Sequence, residues 1–152
     1  MMSVTTEPAQ NLLERTRQAA HPLCVVCGRS HECGLGLRFS LCEDGSVEAR
    51  FECGRAFQGY EGIVHGGITS ALLDGAMTNC LFAHGTVAVT GEMTVRFRHP
   101  VELGRPLVVR ARIVKSKTPL YVTEAEIIQE GQVKAKATGK FMDRLSGAGG
   151  VW

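Results

Sequence analysis

The sequence predicts an α+β domain in which an antiparallel β-sheet wraps around one long central helix. Three observations carry this. From Gly66 to Phe82 the only ionisable carboxylate is Asp74, so a helix over this stretch is apolar on nearly all sides and belongs in the interior. From Val87 to Phe141 apolar and polar residues alternate in runs separated by tight-turn signals, the pattern of antiparallel strands. Each run has a single apolar face, and only the 66–82 helix is apolar enough to cover it.

At 152 residues the chain is long enough for one domain with a core of its own. The boundaries read as a tail and short helix over 1–20, the domain over 21–142 and a flexible tail over 143–152. A net charge of +2, mixed along the chain, argues against nucleic acid as a partner. No apolar run reaches the length of a membrane span, so no membrane is expected. The first ten residues lack the basic start and apolar centre of a signal peptide, so the expected compartment is the cytoplasm. There, the six cysteines are thiols or metal ligands rather than a disulfide framework.

Residues 1 to about 8 read as disordered. Pro8 to Ala20 is compatible with a weakly amphipathic helix, with Leu12 and Leu13 on one side and Glu14, Arg15 and Arg17 elsewhere. His21 to Cys33 follows. Its simpler reading is a glycine-containing connector with small buried thiols; the alternative is a zinc site formed by Cys24, Cys27, His31 and Cys33. Gly34–Leu41 alternates as a strand, Asp44-Gly45 turns, and Val47, Ala49 and Phe51 alternate with Glu48, Arg50 and Glu52, so a hairpin is expected. A loop over 53–65 feeds the central helix. A loop of this length beside a buried helix is often functional.

After the helix, Gly85 breaks the chain. Val87, Val89, Gly91, Met93, Val95 and Phe97 read as one strand face, with Ala88, Thr90, Glu92, Thr94 and Arg96 on the other. Turns are expected at Gly104-Arg105-Pro106, at Ser116–Pro119 and at Glu130-Gly131, separating strands centred on Val109–Ile113, Tyr121–Ile127 and Val133–Phe141. Within the helix, Asp74 is costly to desolvate unless it is paired, protonated or placed at a polar opening, which makes it a functional candidate. The bland alternative is a wet stripe on a partly exposed helix.

The order of elements, with Gly62-Ile63-Val64-His65-Gly66-Gly67 opening the helix and Leu73-Asp74 within it, resembles the hotdog-fold acyl-CoA thioesterases, and most of all their phenylacetyl-CoA-type branch. Pro100, Gly104-Arg105-Pro106 and the closing Lys136-Ala137-Thr138-Gly139-Lys140-Phe141 fit the same family, as does Cys24-Val25-Val26-Cys27-Gly28 followed by Gly34–Phe39. The resemblance implies hydrolysis of an acyl-CoA, or a similar acyl thioester, to the free acid and coenzyme A. It implies Asp74 as nucleophile or as general base for water, and the Gly66 backbone N–H as donor to the thioester oxygen. It places Thr90 where some relatives carry a hydroxyl that positions water, and Gln58 near where some carry an amide.

The chemistry is coherent with the residues. A helix N-terminus offers free N–H groups and a positive dipole end, and Gly66 and Gly67 let a substrate approach closely. His65 reads as a capping residue rather than a base. Phe57, Tyr60, Met77 and Leu81 are candidates for the acyl pocket, though ordinary core is their commoner role. Lys115 and Lys117 are candidates for the phosphates of coenzyme A, or simply solvated strand-end lysines. No metal is expected, and no cofactor beyond the coenzyme A of the substrate.

Gly66 and Asp74 lie eight residues apart, roughly 12 Å along a helix axis. One thioester carbonyl cannot meet both on the same helix. Two antiparallel helices at a two-fold interface would bring Gly66 of one subunit beside Asp74 of the other, so a homodimer is expected, with a tetramer built from it left open. Rival readings are an acyl-CoA-binding hotdog protein without activity, a hydratase or dehydratase on the same fold, and a zinc-stabilised interaction module.

Overall fold

The computed structural model describes residues 6–143. Its elements are α1 (Thr6–Ala20), β1 (Ser40–Leu41), β2 (Val47–Glu52), a single 3-10 turn (Arg55–Phe57), α2 (Gly66–Phe82), β3 (Ala88–Phe97), β4 (Pro106–Lys117), β5 (Leu120–Gln129) and β6 (Gln132–Asp143). One antiparallel sheet runs in the order β1-β2-β4-β5-β6-β3. This is the hotdog arrangement: α2 lies against the inner face of the sheet. No helix among the described residues is long and apolar enough to cross a membrane.

The inner face is set by the strand registers. Ala111 pairs with Ala125, and Ala125 with Ala137, so a row of alanines crosses three neighbouring strands. All three are buried, and their small side chains let a helix settle close to the sheet. Leu72, Leu73, Ala76, Met77 and Cys80 of α2 are completely enclosed, together with Val109, Ile127 and Phe141 of the strands. Glu130-Gly131 turns as expected, with φ of 51° and 73° at the two positions.

Four expectations are corrected. The first strand pairs only over Ser40–Leu41. Leu35, Leu37 and Phe39 are buried as the alternation requires, but Leu35 and Leu37 donate their N–H groups to Val25 O and Val26 O, not to β2. The 24–27 connector has taken the place of a strand partner. Helix α1 begins at Thr6 instead of Pro8, and Arg17 is buried where a polar face was expected. Its guanidinium is satisfied by Glu14, Gln18 and the Cys27 carbonyl. Strand β4 continues to Lys117, and the turn is confined to Thr118-Pro119.

The fourth correction matters most. Strand β3 does not present a single alternating face, because its register against β6 shifts between Thr90 and Glu92. The bulge flips the facing of the residues before it. Thr90 pairs with the buried Phe141 and so faces inward, while Glu92 pairs with Lys140 on the outside. The expected disorder of the first residues and the flexible 143–152 tail fall outside the described residues, except for Thr6–Pro8, which are helical, and Asp143, which ends β6.

Candidate active site

The loop before α2 is folded to present the helix N-terminus. His65 is the N-cap residue, and its Nδ1 accepts from Gly67 N at 2.9 Å. Its own N–H donates to Phe57 O at 2.9 Å, which fixes the entry of the chain. Gly59 lets the loop pass close to His65, since a Cβ at that position would stand 3.0 Å from His65 Cα. His65 therefore caps, as its position predicted. With Gly67 N taken by His65, the N–H of Gly66 has no hydrogen-bond partner among the described residues. It borders a cleft of about 340 Å³ whose walls include Tyr60, Ile63, Thr69, Phe97 and His99.

Asp74 lies two helical turns further on, half-buried. Thr90 Oγ1 donates to Asp74 Oδ1 at 2.7 Å, a contact made possible by the bulge in β3. Burial raises the carboxyl above its ordinary value of 3.8, against the downward pull of the Thr90 hydroxyl. Cys24 adds to the rise and His21 opposes it, so the connector lies within electrostatic reach of this carboxylate. A half-buried, hydrogen-bonded carboxylate whose pKa is raised by burial is a stronger base than an ordinary carboxylate.

The remaining candidates are scattered. Tyr60 is 86% exposed at the mouth of the Gly66 cleft, and Phe57 is half-buried against the core. Met77 and Leu81 are enclosed core residues. Gln58 Oε1 accepts from Gly62 N at 3.0 Å and so closes its own loop, beside a different cleft from that of Gly66. Lys115 and Lys117 are exposed, and they lie beyond Ile113, whose backbone reaches Cys80 near the C-terminal end of α2. They are a helix length away from Gly66 of the same chain.

The quartet of the alternative zinc reading, Cys24, Cys27, His31 and Cys33, is not brought together. Cys24 and Cys27 are joined by His21, not by His31 and Cys33; the three ligand atoms lie within 4.8 Å of one another. Cys33 is exposed, and His31 Nδ1 accepts from Cys33 N. The repeated spacing His21-x-x-Cys24-x-x-Cys27 was the available signal for this set. Hydrogen bonding from Cys27, with a further contribution from His21, pulls the Cys24 thiol down to about 3, and the same pairing with burial drives Cys27 upward. Two further residues went unremarked in the sequence: Gly75, which admits Val26 against the helix, and Asn79, wholly buried with its Oδ1 unpartnered.

Comparison with known proteins places this geometry. A model of the thioesterase superfamily matches residues 61–136, half of the chain, from the loop before α2 into the first part of β6. The chain belongs to the thioesterase superfamily. It is 30% identical over 120 residues to mouse acyl-coenzyme A thioesterase THEM4, covering 75% of this chain and 51% of that protein. It is 28% identical over 86 residues to human acyl-coenzyme A thioesterase 13, covering 55% and 61%. The chain thus spans about half to three fifths of the length of these curated relatives. Among solved structures, the thioesterase superfamily protein RHA08564 superposes with a TM-score of 0.74 at 25% identity, over 78% of this chain and 62% of that one. The Escherichia coli PaaI protein of the phenylacetic acid degradation operon superposes at 0.71 with 23% identity, over 87% and 95%. A Streptococcus mutans protein solved bound to acetyl-CoA superposes at 0.67 with 24% identity, over 76% and 96%.

Proposed function

We propose that this protein hydrolyses an acyl-CoA to the free acid and coenzyme A, with Asp74 as nucleophile or as general base for water and the Gly66 N–H as donor to the oxyanion. The observation that carries this reading is the Thr90–Asp74 hydrogen bond. A buried carboxylate kept half-open and oriented by a hydroxyl is costly for the fold and useful for chemistry. The uncommitted Gly66 N–H at a helix N-terminus is suited to the negative oxygen of a tetrahedral intermediate. As general base, Asp74 takes a proton from water as the hydroxyl adds to the carbonyl, the C–S bond breaks, and that proton restores the coenzyme A thiol. As nucleophile, Asp74 forms a mixed anhydride as the C–S bond breaks, and water then hydrolyses the anhydride to the free acid, supplying the proton to the thiolate. Mouse THEM4 and human thioesterase 13, both described as acyl-coenzyme A thioesterases, support the substrate class.

The site is completed by a second copy of the chain. Strand β3 stands at the sheet edge. An unpaired edge of ten residues that ends in Phe97, itself 57% exposed, is a template for another strand. A Cβ at Gly66 would meet the Phe97 ring at 3.7 Å, and Asp74 meets Thr90, so α2 and β3 run antiparallel. Antiparallel pairing of two β3 strands about their middle sets Thr90 of one subunit opposite Val95 of the other, two residues from Phe97. That brings one subunit's Asp74 toward its partner's Gly66, which the roughly 12 Å between them on one helix otherwise prevents. The same arrangement would let Lys115 and Lys117 serve the partner's substrate. The six unpaired cysteines fit a reducing, cytoplasmic setting.

An acyl-CoA panel read by thiol release tests this directly. Turnover of at least one acyl-CoA is expected for the wild type, with loss of about 10²–10⁴-fold in Asp74→Asn. Binding without turnover would make this an acyl-CoA-binding protein instead.

A further inference from the structure

We propose that His21, Cys24 and Cys27 form a zinc site that ties the connector between α1 and β1 to the Asp74 side of α2. The three ligand atoms lie within 4.8 Å of one another, and His21 Nδ1 stands 3.8 Å from Cys27 Sγ. In a tetrahedral zinc site, metal–sulfur bonds of about 2.3 Å and metal–nitrogen bonds of about 2.0 Å place neighbouring ligand atoms roughly 3.5–3.8 Å apart. The cluster therefore needs only a small contraction to enclose an ion. Two thiolates with one imidazole are a donor set suited to zinc, whereas magnesium and calcium want oxygen ligands.

Each ligand is held from outside the cluster. His21 continues α1 through its N–H to Arg17 O at 2.7 Å, and its ring meets Phe82 edge-on with centroids 5.0 Å apart. Cys24 Sγ accepts from Val26 N at 3.4 Å, a backbone donor aimed at the sulfur. Gly28 N closes the turn on Cys24 O at 2.8 Å. Only glycine fits at position 28, since a Cβ there would stand 2.4 Å from Cys24 N. Arg17 Nη1 holds the Cys27 carbonyl at 3.2 Å. Hydrogen bonds to ligating sulfurs, and anchors behind the ligands, are what orient a metal site.

A fourth position remains, and a polar group waits near it. Asn79 is wholly buried and lies against Cys27; its Nδ2 donates to Gly75 O, while its Oδ1 has no partner among the described residues. The ion itself, or a water bound to it, would satisfy that oxygen. The connector packs on one stripe of α2: Val26 on Gly75, Cys27 on Asn79 and His21 on Phe82. Binding the ion would lock that stripe, and with it the wall beside Asp74.

The test is metal content and cobalt substitution on the full chain. Protein purified with zinc present and passed through gel filtration should retain about one zinc per chain. After chelation, cobalt(II) should produce a sulfur-to-cobalt charge-transfer band and the intense visible bands of a tetrahedral site. Cys24→Ser should lose zinc and weaken the charge-transfer band. His21→Gln should lower zinc affinity at least tenfold, and Cys33→Ser and His31→Gln should behave as wild type. Chelator should lower the thermal midpoint of the wild type but leave that of Cys24→Ser unmoved. Cys24 is only half-buried, so its variant keeps the test open if Cys27→Ser does not fold. A wild type that retains no zinc and gives no charge-transfer band overturns the proposal. So does a band that survives Cys24→Ser undiminished, or one lost in Cys33→Ser.

Discussion

Subunit mixing tests the shared site most sharply, because Gly66 and Asp74 can be removed one at a time without disturbing the helix that carries both. Gly66→Pro deletes the N–H. Proline is accepted at the first helical position, and His65, with ψ of 136°, already has the extended conformation that a following proline requires. A side chain at position 66 meets only the Phe97 ring, at the ordinary contact distance of 3.7 Å. Loss of the donor should cost about 10²–10³ in kcat. Asp74→Asn removes the base at near-constant volume. In a dimer with one subunit of each kind, one site carries both lesions and the other carries neither. Equal amounts reassociating at random give half mixed dimers with one intact site of two, so activity should recover to about a quarter of wild type. Two affinity tags count the mixed dimers, and release of the coenzyme A thiol measures the rate. If mixed dimers form and remain as inactive as the parents, each site lies within one chain and the reasoning is wrong. A monomer that still turns over acyl-CoA would refute it equally.

Four further outcomes follow from the contacts around α2. Because burial raises the Asp74 carboxyl above 3.8, the acid limb of the kcat/KM profile should lie above that of an ordinary carboxylate. Thr90→Val should push it higher and cost about ten- to a hundredfold, the worth of a hydrogen bond to a charged group, but should have no further effect in an Asp74→Asn background. The raised folded pKa also means that Asp74 contributes stability in full below pH 3.8 and loses it as pH rises through the folded value. Asp74→Asn should therefore resist urea better than wild type at neutral pH, with the difference closing in acid. Finally, a Cβ at Gly75 would stand 2.5 Å from Val26 Cγ1, so Gly75→Val should cost about 1–3 kcal/mol in urea unfolding. Gly54→Ala, at a position with open space around it, serves as the neutral control.

The central helix was legible to within a residue or two of its start, because Gly66–Phe82 is nearly free of charge and preceded by a glycine-rich loop. The strands were legible wherever one face is buried and the other wet, since that alternation has a period of two and survives any rearrangement of neighbours. The bulge in β3 was not. An inserted residue leaves no mark in a count of apolar positions until a partner strand shows where the register shifts. For that reason Thr90 was read on the polar face although it was singled out for the site.

Asp74, His65 and Gly66 could be singled out in the sequence because each is marked by its place on or before one apolar helix, a local property, while the roles proposed for Asp74 and Gly66 came from the family resemblance. What holds each of them depends on distant segments: Thr90 on Asp74, Phe57 on His65, Phe97 beside Gly66. The connector shows the same division. Its cysteines were visible at once, but the alternative zinc reading drew in His31 and Cys33, whereas it is His21 that lies beside the two thiols. The spacing of His21 hinted at its place, and packing against α2 fixes it, with the ring on Phe82 and Val26 of the turn on Gly75. Sequence alone determined the helix, the sheet it packs against and the residues at its two ends. Tertiary structure decided which side chains meet, because a contact between segments far apart in the chain is set by register and close packing, and neither has a local signature.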